Sequence, residues 1–333
     1  MEARMLERAR RLMCQLQDTM RDRLIAARDR PHRDFAGLAA ETAADTIYEI
    51  DRVSEAALVE WLGAHWPKSW PVEIIMEGIE EELIFPLGTP VKQTAWKMIL
   101  DPIDGTRGLM HDKRSGWSLA GLAPQRGQRN HLGDIVVAAM TELPISRQWR
   151  ADQFSVVRGS GKVVGTSHDV RAGTRSRLRV APSPATEFEH GFATVDKFIP
   201  VGSAWLGAFE ERLWEALGLL TPGSSEVVPI FEDQYIASGG QIGEILAGRD
   251  RMVIDVRPEA YLAMGLNTAS LCSHPYDLCT ELILREAGGV VETPRGKPLR
   301  SPMDVTSPVS WVAYANPTLA KRVRPVLRGL LAR

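Results

Sequence analysis

The sequence predicts a layered α/β protein with two subdomains. Three observations support this. The first half places two amphipathic helical stretches ahead of a series of apolar, strand-like runs, whereas the second half mixes helix and strand patterns, an order that points to layers of sheet and helix. The chain has 333 residues, enough for two domains or one large one. Its hydrophobic content is 44%, ample for a buried core.

Residues 3–29 form the first element. Met5, Leu6, Ala9, Leu12, Met13, Leu16, Met20 and Leu24 recur at the three-to-four spacing of one helix face. A second helix is expected from about Asp51 to Leu62, with Val53, Ala57, Leu58 and Trp61 inward. Strands follow at "VEIIM" (72–76), "WKMIL" (96–100), "WSLAGLA" (117–123) and "DIVVAAM" (134–140), punctuated by Gly and Pro. Residues 158–176, rich in Gly, Ser, Thr and Arg, read as a turn region and as the boundary between subdomains 1–165 and 166–333. Beyond it, "RLRVA" (177–181) is a strand candidate and 204–220 a helix stopped by Thr221-Pro222-Gly223. Residues 239–248 suit a short helix, and "RMVIDV" (251–256) a strand. Residues 277–289 suit a helix closed by two glycines. "PVSWVAYA" (308–315) reads as a strand, after which Asn316-Pro317 opens the last helix with a cap and a first-turn proline.

Forty basic residues against 42 acidic ones give a net charge of -2, which offers no whole-chain case for nucleic-acid or membrane binding. The basic stretches 171–179 and 321–333 suit solvated loop and helix faces. Cys14, Cys272 and Cys279 are too few and too scattered for a disulfide framework or a four-ligand zinc site. No apolar run approaches the roughly 18 residues of a membrane span, and no signal-peptide core is read at the N-terminus. A reducing cytoplasm is the expected setting.

The stretch that carries chemistry is "MILDPIDGTRG" (98–108). An apolar strand ends in Asp101; Pro102 fixes its own φ and removes one donor; Asp104 returns near Asp101; Gly105 permits dihedrals that other residues avoid. Two close carboxylates repel unless a cation lies between them, and hard cations such as Mg²⁺ take carboxylates, water and substrate phosphate as ligands. Gly105 and Thr106 open a short helix whose amides suit phosphate oxygens. The ordinary alternative is a solvated Asp-Pro turn.

With its neighbours, this stretch resembles the inositol monophosphatase family of Mg²⁺-dependent, often lithium-sensitive phosphatases. "DPIDGT" (101–106) is similar to the family's first signature, and "YDLCTELILREAGGVVETPRGKPL" (276–299) to its second. "IYEIDRVSEAALVEWL" (47–62) and "VEIIMEG" (72–78) are similar to the regions that carry an acid before a helix and a glutamate after a strand. The resemblance implies the αβαβα sugar-phosphatase sandwich. It implies Glu77, Asp101, Asp104, Asp277 and the Ile103 carbonyl as metal ligands, and Asp51 with Thr106, alongside Glu77, as the group that positions and activates water. Gly105 and Thr106 amides would hold phosphate. Two or three Mg²⁺ ions are implied, with Mn²⁺ as a substitute and Li⁺ or Ca²⁺ as inhibitors. The implied reaction is in-line hydrolysis of a small phosphorylated metabolite, in a homodimer. Each acid also has a plain structural reading: Asp277 and Asp51 as helix caps, Glu77 as a solvated acid.

Several positions depart from the family. Gly78 follows Glu77 where Glu-Glu is usual, leaving Glu80 and Glu81 as alternative ligands. Tyr276 replaces tryptophan. Arg107-Gly108 are closer to the bisphosphate nucleotidase branch. The acid that contacts inositol hydroxyls has no clear counterpart, with Ser270 near its place. Segments 184–237 and 257–275 are enlarged. A 3'(2'),5'-bisphosphate nucleotidase and a sugar bisphosphatase are the alternative enzymes; a regulatory binding protein that keeps the fold is the non-enzyme alternative. His111, His274, Arg257 and Lys113-Arg114 are lesser candidates for substrate contact, and Cys272 and Cys279 are expected to pack.

Overall fold

The computed structural model describes residues 2–28, 38–41, 46–77, 79–221, 223, 229–266 and 272–332, with side chains described for all but residues 2, 38–41, 46–55 and 79–82. In chain order the elements begin with α1 (Glu2–Arg28), β1 (Leu38–Glu41), β2 (Thr46–Tyr48), α2 (Glu49–His65), β3 (Val72–Met76) and β4 (Ile79–Phe85). They continue with β5 (Trp96–Asp104), α3 (Thr106–Met110), β6 (Gly116–Pro124), β7 (Val137–Leu143), β8 (Arg150–Val157), β9 (Val164–Asp169), β10 (Thr174–Arg177) and β11 (Gly191–Val195). The C-terminal part holds α4 (Ser203–Ala216), β12 (Ile230–Phe231), α5 (Ser238–Leu246), β13 (Asp250–Asp255), α6 (Arg257–Ala263), α7 (Glu281–Glu286), β14 (Val290–Glu292), β15 (Trp311–Tyr314) and α8 (Pro317–Leu330).

Two sheets organise the chain. The eight-stranded sheet runs β10-β9-β8-β7-β6-β5-β3-β4, and the five-stranded sheet runs β12-β11-β13-β15-β14. Among the described residues, only β3 and β5 pair in parallel in the first; β11 pairs in parallel with both β12 and β13 in the second. Helices α1 and α2 cover one face of the large sheet: Met13, Leu16, Met20, Leu58 and Leu62 pack with Met98, Leu122 and Ala139. The other face, through Trp117, Leu119, Met140 and Phe154, packs with α5 and α7, which in turn meet β13 and β14. Beyond the second sheet, α4 and α8 pack together. Alternate residues of β6 thus enter different cores, Trp117 and Leu119 one and Ala120 and Leu122 the other. A strand buried on both faces reads as a continuous apolar run, which is why "WSLAGLA" shows no polar alternation.

Several expected boundaries move. Residues 158–176 are not a turn region throughout: β9 and β10 lie in and just beyond it, and the turns are confined to Gly159 and Gly161 (φ +68° and +63°) and Gly173 (φ +66°). These strands are polar, "VGTSHD" and "TRSR", so hydrophobic periodicity is silent on them. The 177–181 candidate contributes only Arg177 to a strand. Pairing in the first sheet therefore continues to Arg177, and the second sheet begins at Gly191. Strand β7 starts at Val137, preceded by a 3₁₀ turn at Leu132–Asp134. The helix expected over 277–289 is confined to Glu281–Glu286. At the far end, Asn316 caps α8 as its sequence implies, its side chain accepting from Thr318 and Leu319 amides.

Candidate metal centre

Strand β5 sets the first two acids. Asp101 lies opposite Leu119 and Asp104 opposite Trp117, so three steps along β5 match two along β6. The extra residue is a β-bulge. In a regular strand, residues three apart point to opposite faces; the inserted residue brings Asp101 and Asp104 to one side. Pro102 sits in the bulge with no N–H to leave unpaired. The Ile103 amide that the bulge frees donates to Asp101 Oδ1 at 2.9 Å.

The chain then turns sharply. Gly105 has φ +85°, which L side chains rarely adopt. A Cβ there would also lie 2.9 Å from Ala237 Cβ and 3.1 Å from the Ile236 carbonyl. Glycine thus lets the 104–106 turn dock against the start of α5. Thr106 Oγ1 donates to the Ile103 carbonyl at 2.7 Å, tying the turn to the bulge.

Helix α5 answers from the other side. The Ser238 amide donates to Asp104 Oδ1 at 3.2 Å, and the Gly239 amide to Oδ2 at 2.5 Å. These are first-turn amides with no partner inside the helix, and the helix dipole favours a carboxylate there. Sequence reasoning missed this contact. The only signal is the small-residue run "ASGGQ" (237–241) at the helix start.

The third acid arrives from the second half. Asp277 lies in a turn before α7, and its Oδ2 accepts from the His274 amide at 2.6 Å. It is therefore not the cap of that helix, as its position had suggested; Thr280 holds that place. Tyr276 hydroxyl meets His274 Nδ1 at 3.2 Å, and the two rings stack at 5.3 Å.

Carboxylate oxygens of Asp101, Asp104 and Asp277 all lie within 4.8 Å of one another. Asp101 is 1% exposed and Asp104 5%. Burial, and then the negative charge of Asp277, push the Asp104 carboxyl well above the usual carboxylate range, against the opposing pull of the Gly239, Ser238 and Gly240 amides. Three converging carboxylates in a dry site cannot all ionise cheaply without a cation among them. The donor set is all oxygen, the set that hard divalent ions prefer. The residues present therefore fit a divalent metal.

These acids line a cavity of about 200 Å³ together with Glu77, Ile103, Gly105 and Thr106. Glu77 stands on the wall, outside the group of three. Asp51 belongs to α2, but its side chain lies outside those described, as do those of Glu80 and Glu81; Ser270 lies outside the described residues. His274 is buried away from the cavity wall, and His111 is exposed and likewise off it. Arg114 binds Asp233 at 2.5 Å instead of facing the cavity. Cys272 is on the wall, its thiol pushed up to about 12 by burial and by Asp255, so it stays protonated and packs. The rest of the wall mixes apolar Phe198, Ile199 and Ile236, polar Ser238, Ser273 and Tyr276, and cationic Arg107 and Arg257.

No protein-family model matches the sequence, and no curated protein does. Solved structures match throughout. The extragenic suppressor protein SuhB from Bartonella henselae aligns with TM-score 0.61 and 19% identity, over 96% of this chain and 97% of that one. Fructose-1,6-bisphosphatase from Leishmania major in its holo form aligns with TM-score 0.65 and 14% identity, over 97% of this chain and 93% of that one. The two-sheet sandwich described above is thus the fold of the inositol monophosphatase and fructose-1,6-bisphosphatase structures, as the resemblance of the two signatures implied.

Proposed function

We propose that the protein is a Mg²⁺-dependent phosphomonoesterase acting on a small phosphorylated metabolite. The observation that carries this reading is the convergence of Asp101, Asp104 and Asp277 oxygens within 4.8 Å in a cavity that also exposes the Gly105–Thr106 turn. Asp101, Asp104 and Asp277 would hold the ions, with Glu77 and the Ile103 carbonyl completing the set. Bound divalent ions would supply the positive charge that the phosphoryl group and its attacking water need.

The chain's own residues orient and exclude. The bulge fixes the two β5 acids in one direction, and the Ser238 and Gly239 amides hold the Asp104 carboxylate in place. The Gly105 and Thr106 amides are assigned to the phosphate oxygens. Thr106, held on the Ile103 carbonyl, and Asp51 are assigned to the attacking water. Phe198, Ile199 and Ile236 give the cavity an apolar side. Among the described residues no helix is long and apolar enough to cross a membrane; the cytoplasm and a homodimer remain our assignment.

The test is phosphate release from a panel of inositol, nucleotide and sugar phosphates with Mg²⁺, for the natural chain and Asp104→Asn. Turnover by the natural chain and its loss in the variant, together with loss of Mg²⁺-dependent thermal stabilisation, is the expected result. Mg²⁺ binding without turnover of any phosphomonoester would favour the regulatory alternative.

A further inference from the structure

One end of the large sheet is unlike the rest of its core. Residues directly opposite each other on neighbouring strands share a face. Glu142 of β7 lies opposite Trp117 of β6, and Asp152 of β8 gives its amide to Glu142 Oε2 at 3.1 Å. Asp152 lies opposite Ser167 of β9, which in turn lies opposite Ser176 of β10. One row across five strands thus runs from an aromatic ring through two acids to two serines. It is on the face that α5 covers: a Cβ added to Gly243 would meet the Trp117 ring at 2.9 Å. Two residues along β8 from Asp152, the same face is apolar, and Phe154 stacks with Trp117 at 6.1 Å. Beside the polar row the layers do not close. The sheet and the C-terminal half of α5, through Gly243 and Glu244, enclose a cavity of about 340 Å³. It shares no wall residue with the acid-lined cavity.

A polar group facing a core costs free energy unless it is paired. Ser167 is 9% exposed and lines this cavity, yet among the described residues nothing hydrogen-bonds its hydroxyl. Glu142 is satisfied, by Ser115 Oγ at 2.8 Å, Gln148 Nε2 at 2.6 Å and the Asp152 amide, and burial pushes its carboxyl up. Glu244 is held by Arg249 at 2.8 Å. That leaves Asp152, Arg150 and Arg177 as the charged side chains of the wall that enter no ion pair among the described residues. Arg150 lies over the Trp149 ring, Cζ 4.3 Å from its centroid, a contact that leaves the guanidinium edge for other partners. Two open guanidinium groups against one open carboxylate favour a monoanion, and the guanidinium fork matches a planar carboxylate. Asp152 accepts hydrogen bonds, and the serines both donate and accept, which suits ligand hydroxyls.

We propose that this cavity is a second ligand site, for a small polyhydroxylated monocarboxylate: its carboxylate sits on Arg150 and Arg177, and its hydroxyls on Asp152, Ser167 and Ser176. The site is independent of the hydrolytic reading above.

The experiment is calorimetric titration of the full chain, with Mg²⁺ present, using four probes. D-glucuronate carries both carboxylate and hydroxyls, D-glucose the hydroxyls alone, cyclohexanecarboxylate the carboxylate alone, and L-glutamate an ammonium with its carboxylates. D-glucuronate is expected to bind at least tenfold more tightly than each of the others. Arg177 is exposed on the edge strand β10, so Arg177→Gln leaves the fold intact, which an unchanged melting temperature checks; it should weaken D-glucuronate at least tenfold. Ser167→Ala should weaken it about fivefold, and Asp104→Asn, in the other cavity, should leave it unchanged. Saturable binding that Arg177→Gln and Ser167→Ala do not weaken, or that Asp104→Asn removes, would place the ligand elsewhere and overturn the proposal. So would tighter binding of L-glutamate or D-glucose, which would refute the ligand class, or no saturable binding of D-glucuronate at all.

Discussion

Gly239→Ala is the most informative single perturbation of the centre. The added Cβ would fall onto Leu119 Cδ2, 2.9 Å from Leu119 Cδ1 and 2.9 Å from Asp104 Oδ2. Leu119 is fully buried between sheet and helix, so it cannot swing aside, and the start of α5 must lift. The lift lengthens the 2.5 Å bond from the Gly239 amide to Asp104. Overpacking of this kind costs about 1–3 kcal/mol, and a hydrogen bond to a charged group contributes about 1.5–3 kcal/mol. If the carboxylate loses about 1.4–2.8 kcal/mol of its orientation, Mg²⁺ affinity falls roughly tenfold to a hundredfold. Calorimetric titration with Mg²⁺ reads the affinity, and a thermal melt in EDTA reads the packing cost separately. Gly207→Ala is the control: Gly207 lies in α4, and a Cβ added there would meet nothing within 4 Å. Alanine at that position should stabilise the helix by about 0.5–1 kcal/mol and leave Mg²⁺ binding alone. Unchanged Mg²⁺ affinity in Gly239→Ala, with only a lower melting temperature, would refute the reasoning that α5 positions Asp104.

Further outcomes follow from other contacts. Asp250, 6% exposed, is pushed up to about 7 by burial and by Glu244 and Asp233. The folded chain then keeps a proton that the unfolded chain has lost between about pH 4 and 7, so stability falls as pH rises through that window, by at most about 1.4 kcal/mol per pH unit. Asp250→Asn should remove this slope, and its melting-temperature advantage over the natural chain should grow from pH 4.5 to 7; a constant difference would contradict it. Asn316→Ala removes the α8 cap and two further bonds, from Nδ2 to the Ser183 and Ala185 carbonyls at 2.9 Å each. A loss of about 2 kcal/mol or more is expected in urea unfolding, since a cap alone contributes about 1. Adding Mg²⁺ at 100 times its Kd should raise stability by about 2.7 kcal/mol, and EDTA should reverse this; no shift in the melting curve would count against the metal centre.

The local signals in the sequence and the contacts between distant residues divide cleanly here. The apolar spacing of α1, the double-sided apolar run of β6 and the Asn316-Pro317 cap are each written in neighbouring residues, and each was legible. So was the cluster at 101–106, because strand, proline, two acids and glycine are adjacent in the chain. The polar strands β9 and β10 escaped because they carry no hydrophobic period, and the short α7 because turn and helix residues look alike ahead of Glu281. What needed the tertiary structure was convergence. Asp104 meets the Ser238 amide across 134 positions, and Arg257 meets Ser273 across a further loop; such contacts leave no periodicity in the chain. The sequence by itself determined which groups could bind an ion, because ligand chemistry resides in side-chain type. Only the folded chain decided which of them share one cavity, because distance between remote residues is set by how sheets and helices pack.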